Sequence, residues 1–257
     1  MKLALGMSLP SSNKGGSTDL DFTFTVNTAT AGSTTSTQFQ LPLVSAGAIS
    51  MDVDWGDGNT DTITTYNQAE TLHTYSASGI YTIKISNEVR GWDFNNGGDK
   101  DKMNVISNIG VFSLTEPSTF KGCSNMTWTA TDAPTVVSTS LQDCFRDCTL
   151  FNGNIGNWDI SPVTVLSSTF RGCLAFDQDL SSWNISSVTT MSNIMAFLTL
   201  STANYDALLI GWEAQVPQTG NTPNFWDSTY TAGGAAATAR ASLVSTYGWT
   251  ITDGGTA

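Results

Sequence analysis

Charge is scarce in this chain: charged residues fill 12% of its 257 positions, about half the usual share of roughly 25%. Basic residues are scarcer still, with 10 Lys and Arg against 22 Asp and Glu, and the net charge is −12. A field of that sign repels phosphate backbones, so nucleic acid is excluded as a partner. There is one histidine, His73, and no G-x-S-x-G, H-E-x-x-H or P-loop. Carboxylates are plentiful but form no recognisable acid–base pair. The expectation is a chain that is not an enzyme and carries no catalytic residue. Long apolar runs are also missing. None approaches the ~20 residues of a membrane helix, and no membrane partner is expected.

Cysteine is limited to Cys123, Cys144, Cys148 and Cys173. Their spacing is not C-x₂-C and His73 is remote, which argues against zinc. A Cys144–Cys148 bridge would link neighbouring turns and constrain little. The four read as small buried apolar residues, reduced and inert. Nothing here demands an oxidising compartment.

Ser, Thr, Asn and Gly carry the polarity instead, as in β-rich proteins exposed outside cells or on particles. The opening Met1–Pro10 has a short apolar stretch ended by Pro10, and no small-x-small cleavage site follows. It reads as an unprocessed arm over residues 1–20 rather than a signal peptide. A polar, glycine-bearing arm lacks the apolar area to order itself, so it is expected to dock on a partner subunit.

Beyond the arm, Phe22, Phe24 and Val26 alternate with polar residues, the period of a half-buried strand. Phe39-Gln40-Leu41 starts a second strand. Ile49, Met51, Val53 and Trp55 continue the alternation up to Gly56-Asp57-Gly58, where Asp57-Gly58 predicts a hairpin. Further strands are expected at Asp61–Thr65 and Gly79–Ile85, with Ile80, Ile83 and Ile85 separated by polar residues. The motifs Val53-Asp54-Trp55-Gly56-Asp57-Gly58, His73-Thr74-Tyr75 and Gly79-Ile80-Tyr81-Thr82-Ile83 resemble the PKD family of immunoglobulin-like β-sandwich modules, over roughly residues 37–90. The resemblance implies that the tryptophan is core, that Asp-Gly closes a hairpin and that His73 is a fixed hydrogen-bonding residue beside Tyr75.

The dominant feature lies further on. Phe120, Phe145 and Phe170 recur at one constant interval, i to i+25, and Cys123, Cys148 and Cys173 recur at the same interval. Phe151/Phe176, Trp158/Trp183, Ile160/Ile185 and Val163/Val188 keep that step. Such self-similarity is the mark of stacked supersecondary units, each burying its apolar positions against its neighbours. The stretches Trp158-Asp159-Ile160-Ser161-Pro162-Val163-Thr164 and Trp183-Asn184-Ile185-Ser186-Ser187-Val188-Thr189, with Phe145–Asn152 and Phe170–Asp177, resemble the BspA-like surface-protein repeat. That repeat is also known from mycoplasma lipoproteins and implies a leucine-rich-repeat-like solenoid. The resemblance runs from about 118 to 198 and weakens at its edges. Ala133 stands for the expected tryptophan, and Met195 and Leu198 stand for Phe and Cys.

After the last rung, Tyr205, Leu208, Leu209 and Trp212 sit at i, i+3, i+4 and i+7, predicting an amphipathic helix. Ala236, Arg240, Leu243, Val244 and Tyr247 predict a second, closed by Gly248 as its C′ residue, and Trp249–Thr252 a last strand. The expected fold is mainly β: an immunoglobulin-like (PKD-type) β-sandwich, then a short leucine-rich-repeat-like solenoid with a helical C-terminal cap. In residue numbers this gives an arm at 1–20, the sandwich at 21–92, a junction and first irregular rung at 93–117, the repeats at 118–200 and the cap at 201–257.

Three clusters are candidate sites. Asp93, Asn95, Asp99 and Asp101 place oxygens at alternate positions with a glycine sixth, the pattern of a calcium loop. Lys100 at position eight and Asn104 at twelve depart from it, and a structural joint is the preferred reading, so no cofactor is expected. Asp52, Asp54, Asp57 and Asp61 form an acidic cluster, read as a solvated strand face. Trp226, with Phe225 beside it in a Pro/Asn-rich loop, is the candidate exposed aromatic for stacking on a sugar. The leading functional expectation is a non-enzymatic virion structural protein, a capsid or tail decoration, fibre or adaptor subunit. The opening Met1-Lys2-Leu3-Ala4-Leu5-Gly6 resembles that of tailed-phage structural proteins. The chain would join other virion proteins through its arm, form a homo-oligomer in the assembly and meet a host-surface glycan or protein. The alternative is a bacterial cell-surface or secreted adhesin.

Overall fold

The computed structural model describes residues 20–45 and 49–257. The arm expected at 1–20 lies, apart from Leu20, outside the described residues. Those residues are mainly β, with two helices in the C-terminal part.

Strand β1 (Phe22–Asn27) is central, and its alternation explains why: Phe22, Phe24 and Val26 are all fully buried. It pairs antiparallel with β6 (Ile80–Glu88) and with β7 (Met103–Asn108), so that Phe24 faces Ile83 on one side and Ile106 on the other. Strands β3 (Ser50–Asp54) and β4 (Thr60–Ile63) extend the sheet beyond β6, and β9 (Thr127–Trp128) adds beyond β7. A separate antiparallel pair, β2 (Gln38–Gln40) and β5 (Leu72–Thr74), brings Phe39 to within 6.2 Å of the Phe24 ring.

In β3, Met51 and Val53 point inward and Asp52 and Asp54 outward, as the period of two requires. The expected hairpin forms, since β3 and β4 pair antiparallel from Asp54↔Thr60, but its turn is wider than Asp57-Gly58. Trp55 N donates to Asn59 O at 3.1 Å, and the left-handed positions are Gly56 (φ 77°) and Gly58 (φ 91°). Gly56 is obligatory, since a Cβ there would lie 2.2 Å from the Thr82 carbonyl oxygen. In β6, Ile83 and Ile85 are buried while Ile80 is 63% exposed, because 80 and 83 have opposite parity. Tyr81 takes the inward side and stacks on Tyr75 at 3.7 Å.

No break in packing falls at residue 92. Trp92 meets Phe22 at 5.3 Å and Phe94 at 5.9 Å, and β7 belongs to the same sheet as β1. Strands β8 (Ser113–Leu114) and β10 (Thr135–Val136) then pair in parallel and begin the stacked region.

In that region successive turns of chain lie one on the next. Phe120 N donates to Cys144 O, Phe145 N to Thr169 O and Phe170 N to Ile194 O, each at 2.9 Å. The rings follow: Phe120–Phe145 at 5.6 Å, Phe145–Phe170 at 5.8 Å, and a second column with Phe151–Phe176 at 5.6 Å. Regular strand is minimal here, reduced to the parallel bridges Ser140↔Val165 and Val165↔Thr190. The indole missing at Ala133 is supplied by Trp128, which packs on Phe151 and Trp158 at 5.5 and 5.9 Å. Trp183 Nε1 donates to Ile155 O, and Trp212 Nε1 makes the matching bond to Leu180 O from the first helix.

That helix, α1 (Thr202–Glu213), buries Tyr205, Leu208, Leu209 and Trp212 and is capped by Ser201. The second, α2 (Ala235–Ser245), buries Ala236, Ala239 and Leu243, whereas Val244 is exposed. Its C-cap is Thr246, so Gly248 (φ 67°) stands one residue beyond the expected C′ place. The strand expected at Trp249–Thr252 is replaced by a single bridge, Asn224↔Thr252. The segment after α1 does more than cover the stack. Met195 N donates to Asn224 O and Phe225 N to Thr252 O, so the chain resumes the same ladder after the helix.

Candidate functional site

The oxygen-rich segment 93–101 is a joint built around a buried ion pair. Asp99 is fully buried. It accepts from Thr34 N at 3.0 Å, Thr34 Oγ1 at 2.7 Å and Gln40 N at 2.9 Å. The Lys102 ammonium stands 3.6 Å away, equally buried, and donates to the carbonyls of Thr34, Thr35 and Gln38. Lys102 therefore occupies the cationic place beside Asp99, and Gly32 leaves room for both, since a Cβ there would sit 2.5 Å from Asp99 Oδ1. Asp101 turns to Ser124 and Lys100. Asp93 stays apart with one buried oxygen lacking a hydrogen bond. Burial, and then the Glu116 charge, push its pKa above the ordinary value. Asn95 contributes a left-handed backbone (φ 41°). Among the described residues no three His, Cys, Asp or Glu side chains come together as metal ligands.

The acidic cluster is spent on structure. Asp52 accepts from Thr62 and Asn87, Asp54 from Gly56 N, and Asp61 from Trp55 Nε1. Asp57 binds His73 Nε2 at 2.9 Å. Burial pushes the Asp57 carboxyl up, but hydrogen bonds from His73 and Asn59 outweigh it and hold the pKa below the ordinary value. His73 also stacks on Trp55 at 4.6 Å and meets Tyr75 edge-on. The four cysteines are free thiols, all buried, and burial pushes each pKa up. Cys148 Sγ and Cys173 Sγ each donate to the carbonyl of the Phe one rung below, Phe120 and Phe145.

The two aromatics expected at the surface part company. Phe225 is fully buried against Tyr205 and Trp212, which corrects its reading as an exposed binding residue. The reason is register: Phe225 N and Ser228 N repeat the bonding of Phe170 N and Cys173 N, so Phe225 takes the inward ring place of the ladder. Trp226 alone of the pair is exposed, at 38%. It lies 4.5 Å from the ring of Phe197, which is 45% exposed, with the planes at 51°. The guanidinium of Arg171 lies over the same Phe197 ring at 4.8 Å. This aromatic–cation patch, on the outer edge of the stack, is the candidate recognition surface.

Sequence reading missed Phe197 and Arg171, although both leave a signal. Phe197 falls in the column of Gly122, Asp147 and Gly172, which follow one another at the repeat step, and the bulky residue is the exception there. Lys121, Arg146 and Arg171 form the adjacent column at the same step.

Residues 117–216 match the family model described as Mycoplasma protein of unknown function, DUF285. The matched segment spans the stacked turns and ends just after α1. It accords with the resemblance to BspA-like surface proteins carried by the repeat motifs. No curated protein and no solved structure matches the chain.

Proposed function

We propose that the chain is a non-enzymatic, surface-presented protein of adhesive type. In this reading the N-terminal sheets form a PKD-type, immunoglobulin-like base, and the turns from about 118 form a leucine-rich-repeat-like solenoid that holds the outer patch away from it. The observation that carries the proposal is how the interior is used. The inward columns of Phe, Cys and Trp are buried and spent on stacking, which leaves recognition to the outer edge of the turns. The resemblance of the repeat motifs to BspA-like surface proteins, over the segment that matches DUF285, favours a bacterial cell surface as the setting. A virion decoration, fibre or adaptor subunit would use the same display role in a different assembly.

Mild protease shaving of intact cells that produce the chain tests the cell-surface setting. Peptides from residues 118–216 are expected in the shaved fraction. Recovery of the chain from the cytosol alone would end the display reading. Mass spectrometry of purified particles separates the virion setting, since stoichiometric chain in particles would move the display from cell to virion.

A further inference from the structure

The outer patch has features that stacking of the rungs does not require. Gly122, Asp147, Gly172 and Phe197 share one column of the stack, with φ of 82°, 60°, 76° and 65°. Glycine and aspartate tolerate this left-handed backbone, whereas a bulky aromatic is an outlier there. Trp226, its neighbour, is also left-handed at 55°. The rung geometry sets this backbone in every turn, so what is unusual is the residue: an exposed aromatic, in contact with a second exposed ring, where the turns below carry Gly or Asp.

Arg171 adds a directional charge. Lys121 and Arg146, below it in the cationic column, are engaged by Asp143 at 2.8 and 3.4 Å. The nearest carboxylate to Arg171 is Asp147 at 3.9 Å. The Arg171 guanidinium, a planar fork of donors, keeps only this long ion pair among the described residues while its carbon rests over Phe197 at 4.8 Å. Such a fork fits a carboxylate in bidentate fashion. The rings beside it offer π-faces to the C–H face of a sugar ring.

Resting on the display reading above, we propose that Phe197, Trp226 and Arg171 form a subsite for an acidic saccharide. The two rings take the pyranose face and Arg171 takes its carboxylate.

The test is calorimetric titration of the full chain with trigalacturonic acid, its carboxyl methyl ester and neutral maltotriose. The acid is expected to bind, with the ester and maltotriose about tenfold weaker or worse, the loss of one charge-assisted pair. Trp226→Ala is expected to abolish binding of the acid, and Arg171→Gln to weaken it about tenfold or worse, matching the ester. Phe197→Gly should do so without lowering the melting temperature, because glycine adopts the left-handed backbone freely. No binding of the acid at millimolar concentration would overturn the proposal, and so would equal binding of acid and ester. Concentration-dependent dimerisation in sedimentation velocity that Trp226→Ala removes would also overturn it, by assigning the patch to self-contact. Shaving separates the two readings: an exposed chain that binds no acidic saccharide retains the display role and loses this subsite.

Discussion

Replacing Phe145 with alanine removes the middle ring of the inner column. Phe120 and Phe170 lie on its two sides at 5.6 and 5.8 Å, and Phe151 touches it at 4.2 Å. The side chain is fully buried, so the lost transfer free energy is about 2–3 kcal/mol. The neighbours cannot close the gap freely. The Phe145 amide donates to Thr169 O, and its carbonyl accepts from Cys173 Sγ, which holds the rung spacing. A residual cavity of roughly 80 Å³ at about 24 cal/mol per Å³ adds about 2 kcal/mol. The total, about 4–5 kcal/mol, corresponds to a fall in melting temperature of roughly 8–20 °C for a chain of this size. Differential scanning calorimetry reads the shift, and urea unfolding with an unchanged m-value checks that the folded state is the same. A fall of less than about 2 °C would refute the packing argument, because it would mean that Phe145 is not held between its neighbours.

Asp99→Ala strands the Lys102 ammonium in the interior. It is expected to cost about 3–5 kcal/mol in urea unfolding, and a change near zero would show that the pair is solvated. Asp93→Asn should stabilise the protein at neutral pH. The folded pKa of Asp93 lies above its unfolded value, so ionisation costs stability progressively as pH rises through that window, in full above it. The gain should therefore vanish in acid, and melts of both proteins across the carboxylate range read it. Buried thiols with raised pKa values should label slowly in the native protein and fast after denaturation. Rapid native labelling of Cys148 would contradict the buried column.

Much of the stack was legible because each rung buries the same residue types at the same step. Phe145, Cys148, Trp158 and Val163 announce themselves by recurring as Phe170, Cys173, Trp183 and Val188. The ladder is lost to sequence where α1 intervenes, because the insertion puts Phe225 later after Met195 than the repeat step allows. Its inward place then shows only in backbone hydrogen bonding. The same break hid the patch: Phe197 and Trp226 are distant in sequence and meet only because the rung resumes after the helix. Asp99 illustrates a different limit. Alternating oxygens suit a calcium loop and a hydrogen-bonded joint equally well. The groups that decide, Thr34 and Gln40, lie far upstream, so no local pattern contains them. In β6 the isoleucines at 80, 83 and 85 mark a strand, but parity puts only 83 and 85 on one face, and Tyr81 fills the third inward place.

The central claim is that one continuous ladder runs from Phe120 through the segment beyond α1, with the recognition patch on its outside. Native-state hydrogen exchange, followed by mass spectrometry through increasing denaturant, tests it most directly. The amides of Phe145, Phe170, Met195 and Phe225, which bond one rung to the next, are expected to exchange only through global unfolding and with a common free energy. Exchange of Phe225 at a much lower free energy than Phe145 would contradict the account. The C-terminal segment would then be an independent cap rather than part of the ladder.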